Sequence, residues 1–169
     1  RKEKDHGEFY PPRENVFKAL EMTPLNKVKV VIWGQDPYPT LLPSGKPRAQ
    51  GYSFGVDKRD QIPQSLKNIY KEIADNFPSF EAPNHGDLTW LSNQGILFMN
   101  QSLTYCPANP KLYLNLWNRF TYIIIKILNE NVDGCIHLLW GKQCEPLIEH
   151  IRSREIHQAS HPSPFSARR

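Results

Sequence analysis

Four short strand-like segments alternate with longer segments of helical periodicity, and this alternation restricts the fold more than any other feature of the chain. The four segments are Val28–Trp33, Ile96–Met99, Cys135–Trp140 and the more polar Glu155–Ala159. Apolar runs of this length are typical of strands buried on both faces of a parallel sheet. We therefore predict an α/β fold with a central, mostly parallel four-stranded sheet flanked by helices on both faces.

The segments between the strands predict the helices. Ser65–Phe77 places Leu66, Ile69, Tyr70, Ile73 and Phe77 on one face, and Leu114–Asn129 has the same 3.6-residue periodicity. Shorter helices are predicted over Glu14–Glu21 and near Pro146–Ile151. A further short helix is predicted to begin at its cap, Asp87, and to run through Leu91. The segment from Gly34 to Gly51 holds four prolines and predicts a long loop, which in a compact domain usually carries function.

The composition describes one globular domain and excludes a disordered tail, since 39% of the 169 residues are hydrophobic and 22% are charged. Three cysteines without a C-x-x-C spacing argue against a disulfide framework or a zinc knuckle. They favour a reducing intracellular compartment, whether nucleus, cytoplasm or a viral replication site. The sequence has no signal-peptide pattern and no apolar run of the roughly 20 residues that a membrane span needs, so no membrane association is expected.

The charge distribution favours an anionic partner more clearly than the net charge of +4 does. Three stretches contain no acidic residue: Pro37–Val56, Leu88–Asn129 and Ile156–Arg169. They carry seven basic residues, including Arg168 and Arg169. An acid-poor surface is therefore expected wherever these stretches lie together.

Polar residues follow each predicted strand, and parallel topology places all four strand ends on one rim, where ligands of open α/β sheets bind. Asp36, Asn100 and His161 are therefore expected to converge. Each also has a purely structural interpretation: an Asx turn for Asp36, a cap for Asn100 and a surface histidine for His161. Together they indicate a hydrolase or a ligand-binding α/β domain.

Two motifs resemble the signatures of family 1 uracil-DNA glycosylases: Gly34-Gln35-Asp36-Pro37-Tyr38 and His161-Pro162-Ser163-Pro164-Phe165-Ser166. Six further segments are similar and occur in the same order: Tyr10 to Val31, Gln50–Phe54, Pro63–Glu72, His85–Leu88, Gln94–Thr104 and Leu138–Gly141. Pro39 stands where most members carry a histidine, a variant that resembles members from large DNA viruses. The resemblance implies a single domain over residues 1–169 that lacks parts of both termini.

The resemblance also implies a reaction, the hydrolysis of the N-glycosidic bond of deoxyuridine in DNA during base excision repair. The base must leave the stack to be reached. Asp36 is expected to position water and stabilise the cationic sugar, and His161 to hydrogen bond to uracil O2. Asn100 is expected to read the uracil edge, Phe54 to stack on the base, Tyr38 to exclude the thymine methyl group, and the Gln35 backbone to help hold uracil.

Three loops are expected to bind the DNA backbone, with Phe165 as an apolar wedge in the vacated stack. The implied DNA contacts are Pro63, Gln64, Ser65, Gly141, Lys142, Ser160, Pro162, Ser163, Phe165 and Ser166. Phe165 replaces the usual leucine, and Lys142 replaces a common serine. No metal and no organic cofactor are expected.

The expected partner is uracil-containing DNA, single- or double-stranded, acted on by a monomer, with a protein inhibitor or a polymerase as a further partner. One alternative is a DNA-binding accessory protein that keeps the glycosylase fold to tether a polymerase. Another is a related glycosylase for mismatched or damaged bases. Asp36, Asn100 and His161 together argue against the first alternative, and Tyr38 with Asn100 argues against the second.

Overall fold

The core of the protein is a four-stranded, all-parallel sheet. The computed structural model describes residues 8–166, apart from the side chains of residues 110–114. The strands are β1 (Val30–Gly34), β2 (Ile96–Asn100), β3 (Ile136–Trp140) and β4 (Ile156–Ala159), in the order β2-β1-β3-β4. The α/β prediction is confirmed, and all three strand pairings are parallel.

Burial explains the residue types of the strands. β1 and β2 are buried at every residue after their first, whereas β4 is exposed at its last three residues. β1 lies in the middle of the sheet and β4 at its edge. The polar sequence of β4 is therefore that of an edge strand, where side chains face water.

Helices lie on both faces of the sheet. Helix α2 (Gln64–Asn76) places Ile69 and Ile73 beside a cavity that Ile32 and Leu138 also line. Because side chains alternate along a strand, Val31 and His137 face the opposite side. Leu128 of α4 (Pro110–Asn131) lines a small cavity with His137 on that side. Two short helices, α1 (Lys18–Met22) and α3 (Thr89–Ser92), pack against β2.

The prediction of one helix over Glu14–Glu21 is wrong. The structure has a 3₁₀ turn at Arg13–Asn15 and then α1. The Ala19 N–H, which a continuous helix would bond to the Asn15 carbonyl, donates instead to the Gly51 carbonyl over 3.2 Å. The backbone at Gly51 therefore interrupts the helix.

Other boundaries also differ from the predictions. A 3₁₀ helix over Lys142–His150 replaces the predicted helix near Pro146–Ile151, and it contains Pro146, which lacks the N–H that an α-helix needs. Phe77, predicted on the buried face of α2, follows the last helical residue and is 64% exposed. Helix α4 begins four residues before the predicted Leu114 and ends at Asn131. Asp87 accepts from the Thr89 N–H at the start of α3, as predicted.

The structure also describes the cysteines, the length of the helices and the grouping of possible metal ligands. Cys106, Cys135 and Cys144 are buried free thiols. Within residues 8–166, no helix is long and apolar enough to cross a membrane. The same residues contain no group of three or more His, Cys, Asp or Glu side chains placed to hold a metal ion.

Replacing Gly51 by alanine should strongly destabilise the fold. Gly51 has φ of +88°, and an added Cβ would lie 1.7 Å from the Asn15 carbonyl oxygen. We expect Gly51→Ala to lower the free energy of unfolding by about 3–5 kcal/mol in urea titrations, the combined cost of left-handed backbone and overpacking. Gly45→Ala is the control, because Gly45 has φ of +78° but nothing within 4 Å. Equal losses in the two variants would contradict this account.

Candidate active site

The carboxyl edge of the sheet forms a cavity of about 180 Å³ that brings together residues from five separate parts of the chain. Asp36 follows β1, Asn100 ends β2 and His161 follows β4. The cavity is also lined by Gln35, Tyr38, Phe54 and Ser65. The structure therefore places in one cavity all six residues predicted to catalyse the reaction or to bind the base.

The Asn100 side chain faces the cavity with its amide available to a ligand. It is 6% exposed and lines the cavity, and no described residue hydrogen bonds to its amide. Gly34 makes room for it, because an added Cβ there would lie 2.6 Å from Asn100 Oδ1. The amide opens onto the cavity, where a ligand can pair with both of its polar groups. Asn100 thus offers the cavity a donor and an acceptor side by side.

Asp36 is a weakly acidic carboxyl group between the cavity and a larger groove. Burial raises the pKa of Asp36 to about 6, opposed in part by a hydrogen bond from the Gln35 side chain. The group is therefore mainly ionised at neutral pH but more basic than an ordinary aspartate. A carboxylate of this kind suits proton abstraction from water or stabilisation of a nearby cation.

His161 presents a neutral imidazole with a defined tautomer. The Ser163 N–H donates to its Nδ1 over 3.1 Å, so the ring proton of the neutral form lies on Nε2. Burial lowers the pKa of His161, which favours this neutral form. Gly141 packs behind the ring, since an added Cβ there would lie 3.1 Å from His161 Cβ. His161 can therefore act as a fixed hydrogen-bond donor through Nε2.

Phe54 is presented by a strained turn. Its φ is +64°, and the Gly55 N–H donates to the Ser53 carbonyl over 2.8 Å, which makes a γ-turn centred on Phe54. The Tyr38 hydroxyl donates to the Phe54 carbonyl over 2.9 Å. Such strain persists only where surrounding contacts enforce it, and it is common at functional sites.

The Phe54 ring lies between two other rings. Its centroid is 5.3 Å from that of Trp140 and 5.7 Å from that of His161. Trp140 is a site residue that the sequence did not reveal, because the last residue of an apolar strand is indistinguishable from core. Trp140 and the Tyr38 hydroxyl together fix the ring that closes one side of the cavity.

A groove of about 750 Å³ adjoins the cavity and shares Gln35, Asp36 and His161 with it. Five of the predicted DNA contacts line this groove: Gly141, Lys142, Ser160, Ser163 and Ser166. Phe165 lies in the same segment and is 89% exposed, a free apolar side chain beside the groove. The groove is thus polar, with an apolar side chain projecting near it.

The remaining predicted DNA contacts lie around the start of α2. Pro63 is buried and precedes the helix, Gln64 is exposed on its first turn, and Ser65 reaches the cavity. Pro162 faces α2 rather than the groove, and the Asn68 amide donates to its carbonyl over 2.8 Å. Asn68 is a second residue that the sequence did not single out.

One electrostatic expectation needs correction. Glu145, which lies outside the acid-free stretches, also lines the groove. The 3₁₀ helix after β3 brings it there, a placement that charge counting along the chain does not reveal. Arg168 and Arg169 lie outside the described residues. The groove therefore combines Lys142 with two acids, Asp36 and Glu145.

A parallel α/β sheet whose carboxyl edge holds a carboxylate, an amide and a neutral imidazole around a small cavity has the groups of a hydrolase site. No family model matches the chain. A uracil-DNA glycosylase from Aliivibrio fischeri is 42% identical over 164 residues, which cover 95% of this chain and 71% of that protein. One from Pectobacterium carotovorum is 43% identical, covering 95% of this chain and 70% of that protein. The chain belongs to the uracil-DNA glycosylase family.

Solved structures agree with this assignment. The crystal structure of mimivirus uracil-DNA glycosylase superposes with a TM-score of 0.86 at 34% identity, over 93% of this chain and 58% of that one. This chain thus spans less than two thirds of the mimivirus chain. A structure from Nitratifractor salsuginis, at 18% identity and a TM-score of 0.66, shares the fold.

The buried carboxyl group should lower the stability of the folded protein at neutral pH. The unfolded chain releases the Asp36 proton at its ordinary pKa near 3.8, and the folded protein only near 6. Stability is therefore lost as the pH rises between these values. We expect Asp36→Asn to raise the free energy of unfolding at pH 7 by about 1–3 kcal/mol and to give no gain below pH 4.

Urea unfolding at several pH values measures this difference. Asp133→Asn serves as the control, since Asp133 is exposed and lies away from the site. It should change the free energy of unfolding by less than about 0.5 kcal/mol. A gain for Asp36→Asn that is independent of pH would contradict the electrostatic origin.

Proposed function

We propose that this chain hydrolyses the N-glycosidic bond of deoxyuridine in DNA, releasing a flipped-out uracil and leaving an abasic site in base excision repair. The convergence of Asp36, Asn100 and His161 on one small cavity carries the proposal. Base excision needs a base-binding group, a group for the water and a group for the departing base. The cavity supplies one candidate for each.

Recognition of uracil is assigned to Asn100. Its free amide can donate to uracil O4 and accept from N3–H, whereas cytosine presents the opposite pattern at these atoms. A site that leaves its buried polar groups unpaired with the wrong ligand can reject it by about 10⁴-fold. The placement of this amide in the cavity wall supports the assignment.

Phe54 and Tyr38 are assigned the two flat walls. Phe54 would stack on the extruded base, which offsets part of the few kcal/mol that unstacking costs. Tyr38 would occupy the space that a thymine methyl group requires. Both side chains line the cavity, which supports these roles, and the Gln35 backbone would complete the contacts with uracil.

Asp36 and His161 are assigned the chemistry. As the glycosidic bond breaks, positive charge grows on the sugar, and the Asp36 carboxylate would stabilise it and accept a proton from the attacking water. Negative charge grows on uracil O2, and His161 Nε2–H would donate to it. These two side chains stabilise both developing charges, so we propose no metal and no organic cofactor.

The groove is assigned to the DNA backbone. Serine hydroxyls, backbone N–H groups and Lys142 would bind phosphates, and the start of α2 would bind on the other side of the cavity. Phe165, exposed beside the groove, would fill the space that the extruded base leaves. Backbone contacts of this kind do not depend on sequence, which suits an enzyme that must act wherever uracil occurs.

We further propose a monomer that takes uracil from single- or double-stranded DNA, in a reducing intracellular compartment that keeps its three thiols free. A protein partner, an inhibitor or a polymerase, is also proposed, since a mimivirus uracil-DNA glycosylase variant has been solved in complex with UGI. A purely DNA-tethering accessory role is not favoured. Such a role needs neither an amide that faces a cavity nor a carboxyl group whose pKa is raised to about 6.

An oligonucleotide assay tests the proposal directly. Single- and double-stranded oligonucleotides bearing one uracil are incubated with the protein and then treated with alkali, which cleaves at abasic sites. We expect cleavage at the uracil position, and a loss of roughly 10²- to 10⁴-fold in rate for Asp36→Asn, with DNA binding retained. DNA binding without cleavage by the native chain would refute the enzymatic function.

The pH profile of the same assay checks the role of Asp36. Because the carboxylate is the active form, the excision rate should fall as the pH drops below about 6 and level off above it. The rate remaining in Asp36→Asn should lack this step. A native profile that stays flat from pH 5 to 8 would show that another group limits the reaction.

The Tyr38 hydroxyl should affect the excision rate, whereas the Tyr38 ring should affect the rejection of thymine. Tyr38→Phe keeps the ring that excludes thymine but removes the hydrogen bond to the Phe54 carbonyl, worth about 1 kcal/mol. We expect the excision rate to fall by up to roughly tenfold while thymine is still rejected. Tyr70→Phe is the control, since the hydroxyl of Tyr70 in α2 donates a similar bond to the His85 carbonyl, away from the cavity. Equal rates in the two variants would contradict this role.

A further inference from the structure

Asn68 holds the segment that carries His161. Its Nδ2 donates to the Pro162 carbonyl oxygen over 2.8 Å, and Pro162 directly follows His161. Among residues 8–166, this is the one hydrogen bond between segment 161–166 and another part of the chain. The position of the backbone beside the imidazole therefore depends on a side chain of α2.

Gly141 and the Phe54 ring also contact His161, but no residue of segment 161–166 is buried. The segment follows the exposed edge strand β4, and on the α2 side Asn68, Ser160 and Pro162 line an apolar cavity of about 450 Å³. The loop therefore bridges a cavity here. Segments with few packing contacts open locally at low free-energy cost, so a single hydrogen bond has a large influence on this one.

A second hydrogen bond orients the Asn68 amide. Gln64 Nε2 donates to Asn68 Oδ1 over 3.0 Å, so Oδ1 is the acceptor and Nδ2 faces Pro162. Gln64 lies on the first turn of α2, among the proposed DNA contacts. On the far side of Pro162, the Ser163 N–H bonds to His161 Nδ1. Hydrogen bonds and a short stretch of backbone thus connect the start of α2 with the imidazole.

We infer that Asn68 is a positioning residue for uracil excision: it holds the Pro162 carbonyl so that His161 directs Nε2–H into the base cavity. Asn68 lines neither the base cavity nor the groove, so it acts through His161 rather than on the DNA. The expected effect on excision rests on the proposed function. The expected effect on the position of His161 rests on the hydrogen bonds alone.

Two variants of Asn68 separate the hydrogen bond from simple packing. Asn68→Ala removes the whole amide, whereas Asn68→Asp keeps its size and an acceptor for Gln64 but has no donor for Pro162. The control is Asn76→Ala on the same helix, which removes bonds to the Glu72 carbonyl and the Glu72 carboxylate within α2. Thermal unfolding establishes that each variant is folded under the assay conditions.

Two measurements are made on each variant. Single-turnover excision from a uracil oligonucleotide should slow by roughly 10- to 100-fold in both Asn68 variants, as expected for a misplaced catalytic group, while affinity for uracil-free DNA changes little. Titration of the His161 ring by nuclear magnetic resonance should show its pKa moving up towards the ordinary value, because a released loop exposes the ring to water. Asn76→Ala should leave both unchanged.

Three results would overturn the inference: a His161 titration that is unchanged in both Asn68 variants, slower excision without any change at His161, or a shifted His161 with undiminished excision. If the native chain does not excise uracil, the proposed function fails instead. The His161 titration then decides on its own whether Asn68 positions the ring.

Discussion

The parallel pairing of β1 with β2 and β3 is the constraint on which the rest of the structure depends. Its register places Gly34 beside Asn100 and ends the strands at one edge. Asp36, Asn100 and His161 then lie within two residues of a strand end. Shifting this register by one residue would exchange the two faces of a strand and remove Asn100 from the cavity. The same backbone hydrogen bonds between strands therefore fix both the core and the site.

The surroundings of the site residues shift their pKa values, their hydrogen bonding or their backbone conformation from the ordinary ones. Asp36 is buried enough to hold its proton more tightly, His161 is buried enough to stay neutral, and the Asn100 amide is denied protein partners. Phe54 is held in a left-handed backbone conformation. The buried Asp36 carboxylate and the strained Phe54 backbone cost free energy, and all four groups are suited to a base in the cavity.

Most of the fold and the membership of the site could be predicted from the sequence, because both depend on local patterns. Apolar runs ended by Gly34, Asn100 and Gly141 indicate strands, and parallel topology then brings their ends together. What the sequence could not show depends on contacts between distant segments. The break before α1 follows from the backbone at Gly51, and Glu145 reaches the groove through a 3₁₀ helix. Asn68 differs in no visible way from any other polar residue on a helix.

The edge position of β4 also bears on how copies of the protein meet. An edge strand leaves one row of N–H and C=O groups able to pair with a strand from another molecule, a common route to aggregation. β4 has only four residues, and its last three side chains are exposed and mainly polar. A pairing partner would find a short ladder with little apolar surface beside it. The short, polar β4 is therefore a poor template for self-association.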